Sequence, residues 1–145
     1  MAFEIANFNL SFSTTAATDV LNITSQVVEK ALASGIGEGQ VLVFVPGSTA
    51  ALTTIEYESG VVRDLMEAIE RIAPENIYYR HDERWGDGNG YAHVRAALLG
   101  PSLTIPLIDG HQMLGTWQQI VLIDFDNRPR KRRILVQVSG SKSRI

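Results

Sequence analysis

Cysteine is missing from all 145 residues. Its absence excludes disulfides, thiolate metal sites and a cysteine nucleophile, and it suits a reducing cytoplasm. Histidine is scarce too, present only as His81, His93 and His111. Chemistry that needs an imidazole near neutral pH is therefore confined to very few places. No apolar run approaches the ~18 residues a membrane helix requires. The opening MAFEIANFNLSFST has neither the basic start nor the long apolar core of a signal peptide. These absences point to a cytoplasmic protein. A net charge of −3 argues against general affinity for nucleic acid, despite the cluster Arg128, Arg130, Lys131, Arg132 and Arg133.

What is present describes one folded domain spanning 1–145, with 45% hydrophobic and 20% charged residues and no linker or internal repeat. Apolar residues alternate through Phe3 and Ile5, then change phase at Phe8, Leu10 and Phe12, which predicts a bulge near Ala6-Asn7 or two strands. Thr24 is placed to cap a helix that Gly35 ends. Val41–Val45 reads as a buried strand, and Thr49–Glu58 as another. Val61, Val62, Leu65, Met66, Ile69 and Ile72 recur at helical spacing before Pro74. Ile77-Tyr78-Tyr79 reads as a short strand, and Asn89 as the cap of a helix running to Gly100. Three further strands are expected at Ser102–Leu107, Trp117–Phe125 and Arg132–Val138, the last two joined as a hairpin through residues 126–129. Trp117 is expected in the core, and the polar tail from Ser139 is expected to fray. The fold class is α+β, mostly antiparallel sheet with a few helices.

The stretch HDERWGDGNGYAHVRAALLG, residues 81–100, concentrates the chemistry. If His81 ends a strand and His93 lies in the first turn of a helix, the loop between them can aim both rings at one point. Such a pair can ligate a divalent metal or move protons, with Asp87 completing the ligand set or orienting an imidazole. The plainer alternative is that Asp87-Gly88 is turn chemistry and Asn89 only a cap. A calcium loop is excluded, because Ala92 stands where its glycine must be and Leu98 where its bidentate glutamate must be.

Elsewhere, Gly47-Ser48-Thr49 after a strand offers backbone amides and hydroxyls of the kind that form small anion nests. It lacks the lysine and second glycine of a P-loop. Glu56 would be costly to bury without a cation. In the basic cluster, alternation along a strand sends Arg130 and Arg132 to one side and Lys131 and Arg133 to the other. The first reading is a solvated edge that resists aggregation, the second that one pair reaches a phosphate. No serine sits on a recognisable nucleophile elbow.

Taken in order, several stretches resemble the YjbQ-like family, small proteins also called secondary thiamine-phosphate synthases. They are Thr49-Ala50-Ala51-Leu52-Thr53 with Glu56, His81, Asp87-Gly88-Asn89, His93, Leu99 to Thr104 with Pro106, and Asp109-Gly110. Leu114 to Ile120, Asp124-Phe125-Asp126, Pro129-Arg130 and Arg132 complete the series, so the likeness spans nearly the whole chain. The resemblance implies a compact homotrimer with a polar site built from the motif residues, and a thiamine-phosphate synthase activity. That reaction joins a pyrimidine carbinyl pyrophosphate to a thiazole phosphate and releases pyrophosphate. One position departs: Gly47 stands where much of the family has a histidine.

The expectation is an enzyme acting on a small phosphorylated metabolite. His81, His93 and Asp87 are its candidate catalytic residues. Ser48, Thr49, Glu56, Gly88, Asn89, Gln118, Arg130 and Arg132 are its candidate substrate contacts. A divalent metal, Mg²⁺ or Zn²⁺, would be held by His81, His93 and Glu56. The alternative is a non-catalytic trimer that binds a metal or an anion.

Overall fold

The computed structural model describes residues 2–142. The eight strands are β1 (Phe3–Ser13), β2 (Asp19–Asn22), β3 (Ile36–Phe44), β4 (Ala50–Ile55), β5 (Ser102–Ile108), β6 (His111–Gln112), β7 (Gln119–Asp124) and β8 (Lys131–Lys142). The four helices are α1 (Thr24–Ala33), α2 (Ser59–Ile72), α3 (Arg80–Trp85) and α4 (Gly90–Leu99). The strands form a five-stranded sheet in the order β1-β8-β3-β5-β6 and a three-stranded sheet in the order β2-β7-β4. Every pairing is antiparallel, so the α+β reading holds.

The two sheets pack face to face over one core that includes Val41, Val43, Ile134 and Val136 from the larger sheet. Leu52, Ile120 and Leu122 from the smaller sheet meet them, and Val27 and Ala31 of α1 close one end. A second core lies on the far side of the small sheet, where Ala51, Val121, Ile123 and Phe125 pack against Ile69 of α2 and Tyr91, Ala92 and Ala96 of α4. The small sheet is thus covered on both faces. That is why Ile120–Ile123 is an unbroken apolar run rather than an alternating one. Arg95 on α4 is buried; its Nε donates to the Ala73 carbonyl at 3.0 Å and its Nη2 to Glu70, which locks α4 to the end of α2.

Several local expectations are corrected. β1 is one continuous strand in unbroken register with β8, without a bulge. The phase change instead marks Phe3 and Ile5 as outward-facing, 70% and 56% exposed. Asn22, not Thr24, tends the start of α1: its Oδ1 accepts from the Thr24 amide at 3.1 Å. Thr24 Oγ1 instead accepts from the Ile120 amide. Residues 77–79 form no strand but lead into α3. Residues 126–129 are no hairpin, since β7 and β8 belong to different sheets. Trp117 is 73% exposed, in a turn before β7. The polar residues 139–142 do not fray: they pair with both β1 and β3. There Gly39 and Gly140 approach so closely that a Cβ on either would lie 1.9 Å from a backbone oxygen. Residues 143–145 of the predicted tail lie outside the described residues.

A histidine and carboxylate hollow beside a buried ion pair

α3 is a single short helix stopped by Gly86, which adopts the left-handed conformation at φ 62°. The chain then turns through Asp87 and Gly88 into α4, and the two helices are pinned where they meet. Asp82 Oδ1 accepts from the Gly90 amide at 3.0 Å, so a side chain of α3 satisfies a free N–H at the start of α4. Gly90 has to be glycine, because a Cβ there would lie 2.5 Å from the Tyr79 Cβ. Asp87 Oδ1 accepts from the Asn89 amide at 3.2 Å and shapes the turn.

This packing puts the two histidines side by side. Their ring centroids are 4.2 Å apart and the planes tilted by 37°. His81 is therefore on a helix, not at the end of a strand, and His93 is one turn into α4. His81 Nδ1 lies 3.5 Å from Asp82 Oδ1 and 3.5 Å from Asp87 Oδ1. Burial, reinforced by the neighbouring His81 ring, lowers the His93 pKa below the ordinary histidine value, while Asp87, Asp126 and Asp82 oppose the shift. His93 is thus held neutral at pH 7.

Among the described residues, His81, Asp82 and Asp87 each offer a ligand atom, all within 4.8 Å of one another. Tetrahedral coordination at about 2.0–2.1 Å separates ligand atoms by roughly 3.3 Å, so the two 3.5 Å separations suit a small divalent cation. Both carboxylates are also steadied by backbone amides, as metal ligands commonly are. Glu56 is not in this group; it lies exposed beyond the end of β4. Of the expected ligands His93 is outside the group as well, and beside His81 stand Asp87 and Asp82. The position of Asp82 next to His81 on a helix of six residues is a signal the strand reading concealed.

The hollow is tied to a buried polar cluster. Asn89 does not cap α4 with its side chain; it is buried, and its Oδ1 accepts from the Asn127 amide at 3.2 Å. Asn127 Nδ2 in turn donates to the Asp87 carbonyl at 2.8 Å. One residue earlier, Asp126 Oδ2 accepts from Thr49 Oγ1 at 2.9 Å and Arg130 Nε at 3.1 Å. Arg132 donates to both oxygens of Asp124, and its Nη2 also donates to Thr49 at 2.6 Å. Thr14, at the end of β1, donates to Asp124 at 2.7 Å. Burial opposes ionisation of Asp124, but bonds from Arg132, Thr14 and the Asp126 amide outweigh it and hold the carboxyl below its ordinary range. For Asp126, burial is likewise outweighed, by Thr49, the Arg128 amide and Arg130.

His81, His93, Asp87, Gly88 and Asn89 are therefore together, and Thr49, Arg130 and Arg132 adjoin them through Asp126 and Asn127. Ser48 is exposed beside Thr49. Gln118 is elsewhere: it donates to Thr54 at 3.0 Å and lines a separate cavity of about 310 Å³ between β4 and β5. Asp124 and Asp126 are among the motif residues but receive no role from sequence, and Asn127 is not among them, because the expected hairpin hides that residues 125–130 carry the chain from one sheet to the other. Thr14 carries no sequence signal.

The family model for UPF0047, the YjbQ-like proteins, matches residues 8–141. The chain belongs to this family. A UPF0047 protein of Archaeoglobus fulgidus is 39% identical over 128 residues, covering 88% of this chain and 97% of that relative. Another, from Methanothermobacter thermautotrophicus, is 38% identical over 137 residues, covering 94% of each. A crystal structure of a protein of unknown function from Sulfolobus solfataricus superposes with a TM-score of 0.91 at 31% identity, covering 97% of this chain and all of that one. A YjbQ/UPF0047 structure from Clostridium acetobutylicum gives 0.82 at 33% identity, covering 90% and 98%. The YjbQ-like fold is thus shared along nearly the full chain. No helix among the described residues is long and apolar enough to cross a membrane.

Proposed function

We propose that the chain is an enzyme acting on a small phosphorylated metabolite at the His81–His93 hollow, with thiamine-phosphate synthesis as the specific reaction suggested by its family. The contact of the two imidazoles beside two carboxylates carries this reading. In that reaction the carbinyl C–O bond breaks, pyrophosphate leaves with the electron pair, and the thiazole nitrogen supplies the pair for the new C–N bond. The need is for charge against the leaving oxygens and for alignment of the two substrates. His81, Asp82 and Asp87 would hold a Zn²⁺ or Mg²⁺ ion, whose charge would neutralise phosphate oxygens.

Arg130 commits its Nε to Asp126, while its side chain is 40% exposed and its Nη groups have no acceptor among the described residues. Those groups suit a phosphate. Ser48 adds a hydroxyl. Neutral His93 donates through one ring nitrogen and accepts at the other. Arg132 holds the site together from beneath, with Nη1 turned to Gly47, where an added Cβ would lie 3.0 Å away. The assembly is a homotrimer, and the outer face of the large sheet supports this: Leu42, Phe44 and Leu135 surround a shallow hollow of about 280 Å³, with Phe3 and Ile5 beyond it. The compartment is the cytoplasm, on the strength of the missing cysteines.

The test is pyrophosphate release from the two thiamine precursors with Mg²⁺, compared between wild type and His93→Ala. Release that falls at least about tenfold in the variant supports the enzyme; equal traces from both defeat it. Gly47 favours a second reading, a trimer that binds a metal or anion without catalysis, because it replaces the histidine much of the family has. Saturable heat with Zn²⁺ or phosphate, and no turnover, would select it.

A further inference from the structure

A cavity of about 310 Å³ opens between α1 and the edge strand β6, sharing no residue with the histidine hollow. Its walls are largely hydrocarbon: Val28, Ala31 and Leu32 from α1, and Leu114 beyond β6. Two polar side chains join them: His111, exposed at the rim, and Gln112. Gln112 stands opposite Leu107, a core residue, so its side chain points inward beneath α1, while Ile108 faces out. The Gln112 Nε2 and Oε1 are both buried, and neither has a hydrogen-bond partner. Buried amides are almost always paired, because an unmet donor or acceptor pays its full desolvation cost.

The strand, not the amide, fixes this arrangement. β5 and β6 are joined by Asp109-Gly110, both at positive φ (49° and 78°), the two-residue turn that sets hairpin register. The Met113 amide then donates to the Pro106 carbonyl at 3.0 Å. Gln112 is thus held facing the cavity with a donor and an acceptor side by side. The complement of that edge is another N–H beside a C=O, as in a carboxamide, a lactam or a uracil-type ring, which pairs through two hydrogen bonds at once. An ionised carboxylate offers acceptors only, and neither a lysine nor an arginine lines the cavity to receive it.

We infer that the cavity between α1 and β6 is a binding site for a small uncharged ligand that presents an amide edge to Gln112 and an apolar body to Val28, Leu32 and Leu114. Its volume is at the lower end of the usual range for small-molecule pockets, about 300–1,000 Å³.

The test follows the Gln112 side-chain NH₂ signals of the ¹⁵N-labelled chain, assigned by their loss in Gln112→Met, during titration with benzamide. Saturable shifts are expected. N,N-dimethylbenzamide keeps the ring but lacks the N–H, and should bind roughly tenfold or more weakly. By calorimetry, Gln112→Met should bind benzamide roughly tenfold more weakly at undiminished thermal stability. Val28→Phe, which fills the space without touching the amide, should abolish binding. Equal affinity for the two probes, unchanged affinity in Gln112→Met, or no saturable shift with benzamide or uracil overturns the proposal. So do Gln112 signals that move on dilution, which would mean a second copy covers the amide.

Discussion

Arg132 on β8 grips Asp124 on β7 through two nitrogens, Nε at 2.7 Å and Nη2 at 2.9 Å, and so bolts the five-stranded sheet to the three-stranded one from inside. Both residues are buried. Such a pair need not add stability relative to a well-packed apolar pair, but breaking it strands a charge where water cannot reach.

Asp124→Ala and Arg132→Met should therefore each lower unfolding free energy by about 3–5 kcal/mol in urea denaturation. Glu4→Gln is the contrast. Its ion pair with Lys142, at 3.3 Å, has side chains 42% and 57% exposed, so the loss should stay within about 1 kcal/mol. Equal losses at the two places would contradict the assignment of Asp124 as the buried anchor.

Acid should unfold the protein through the same cluster. Asp124 and Asp126 have folded pKa values below their unfolded ones. Their contribution is complete above the unfolded value of about 3.9 and is lost as pH falls through the folded values. Thermal midpoints measured downward from pH 5 should drop in this window, and drop less in Asp126→Asn than in wild type.

His93 should titrate, by proton NMR of its ring, below the ordinary histidine pKa of about 6.5. Its folded value is depressed, so its share of stability is complete above the unfolded value of about 6.5 and is lost as pH falls from there through the folded value. Replacing His81 with Asn removes one cause of the depression, and the His93 midpoint should move up. A midpoint at or above 6.5 in wild type would show that the ring is more solvated than its surroundings indicate.

Metal affinity should depend on Asp82 and Asp87 and not on Glu56. Zn²⁺ titrations of Asp82→Asn and Asp87→Asn should show losses of at least about tenfold, as should His81→Ala, whereas Glu56→Gln should match wild type. Losses in Glu56→Gln and His93→Ala, with Asp82→Asn and Asp87→Asn matching wild type, would restore the ligand set of His81, His93 and Glu56 expected from sequence.

Assembly should respond to the outer sheet face. A trimer by light scattering should dissociate in the double variant Ile5→Glu, Leu135→Glu, with the far-UV circular dichroism of the protomer retained, since both side chains point away from the core. A wild-type monomer at micromolar concentration would remove the basis for this prediction.

The fold class and most element positions could be read from sequence because periodicity reports burial on one face. Where two faces or two partners compete, that signal misleads. Phe3 and Ile5 broke the alternation of β1 because they are apolar on the exposed face, which local pattern cannot separate from a bulge. Ser139 to Lys142 are polar, yet they are clamped between two neighbouring strands, and Gly140 is there for backbone proximity, not looseness. At the site, spacing brought His81 and His93 together correctly, although the secondary structure assigned to His81 was wrong; two short helices meeting at Gly90 do the work expected of a strand and loop. The role of Asp126, a motif residue, could not be read for a topological reason. Adjacent strands usually pair, and here they part.

That parting has a mechanical result. Residues 125–130 are the strap between the sheets, and Asn127 on the strap holds both Asn89 and the Asp87 carbonyl. A proton taken up by Asp126 releases Thr49 and Arg130 from the same strap. Acid taken up at Asp126 should therefore be felt at the two rings through the strap, although residues 125–130 lie far along the chain from both.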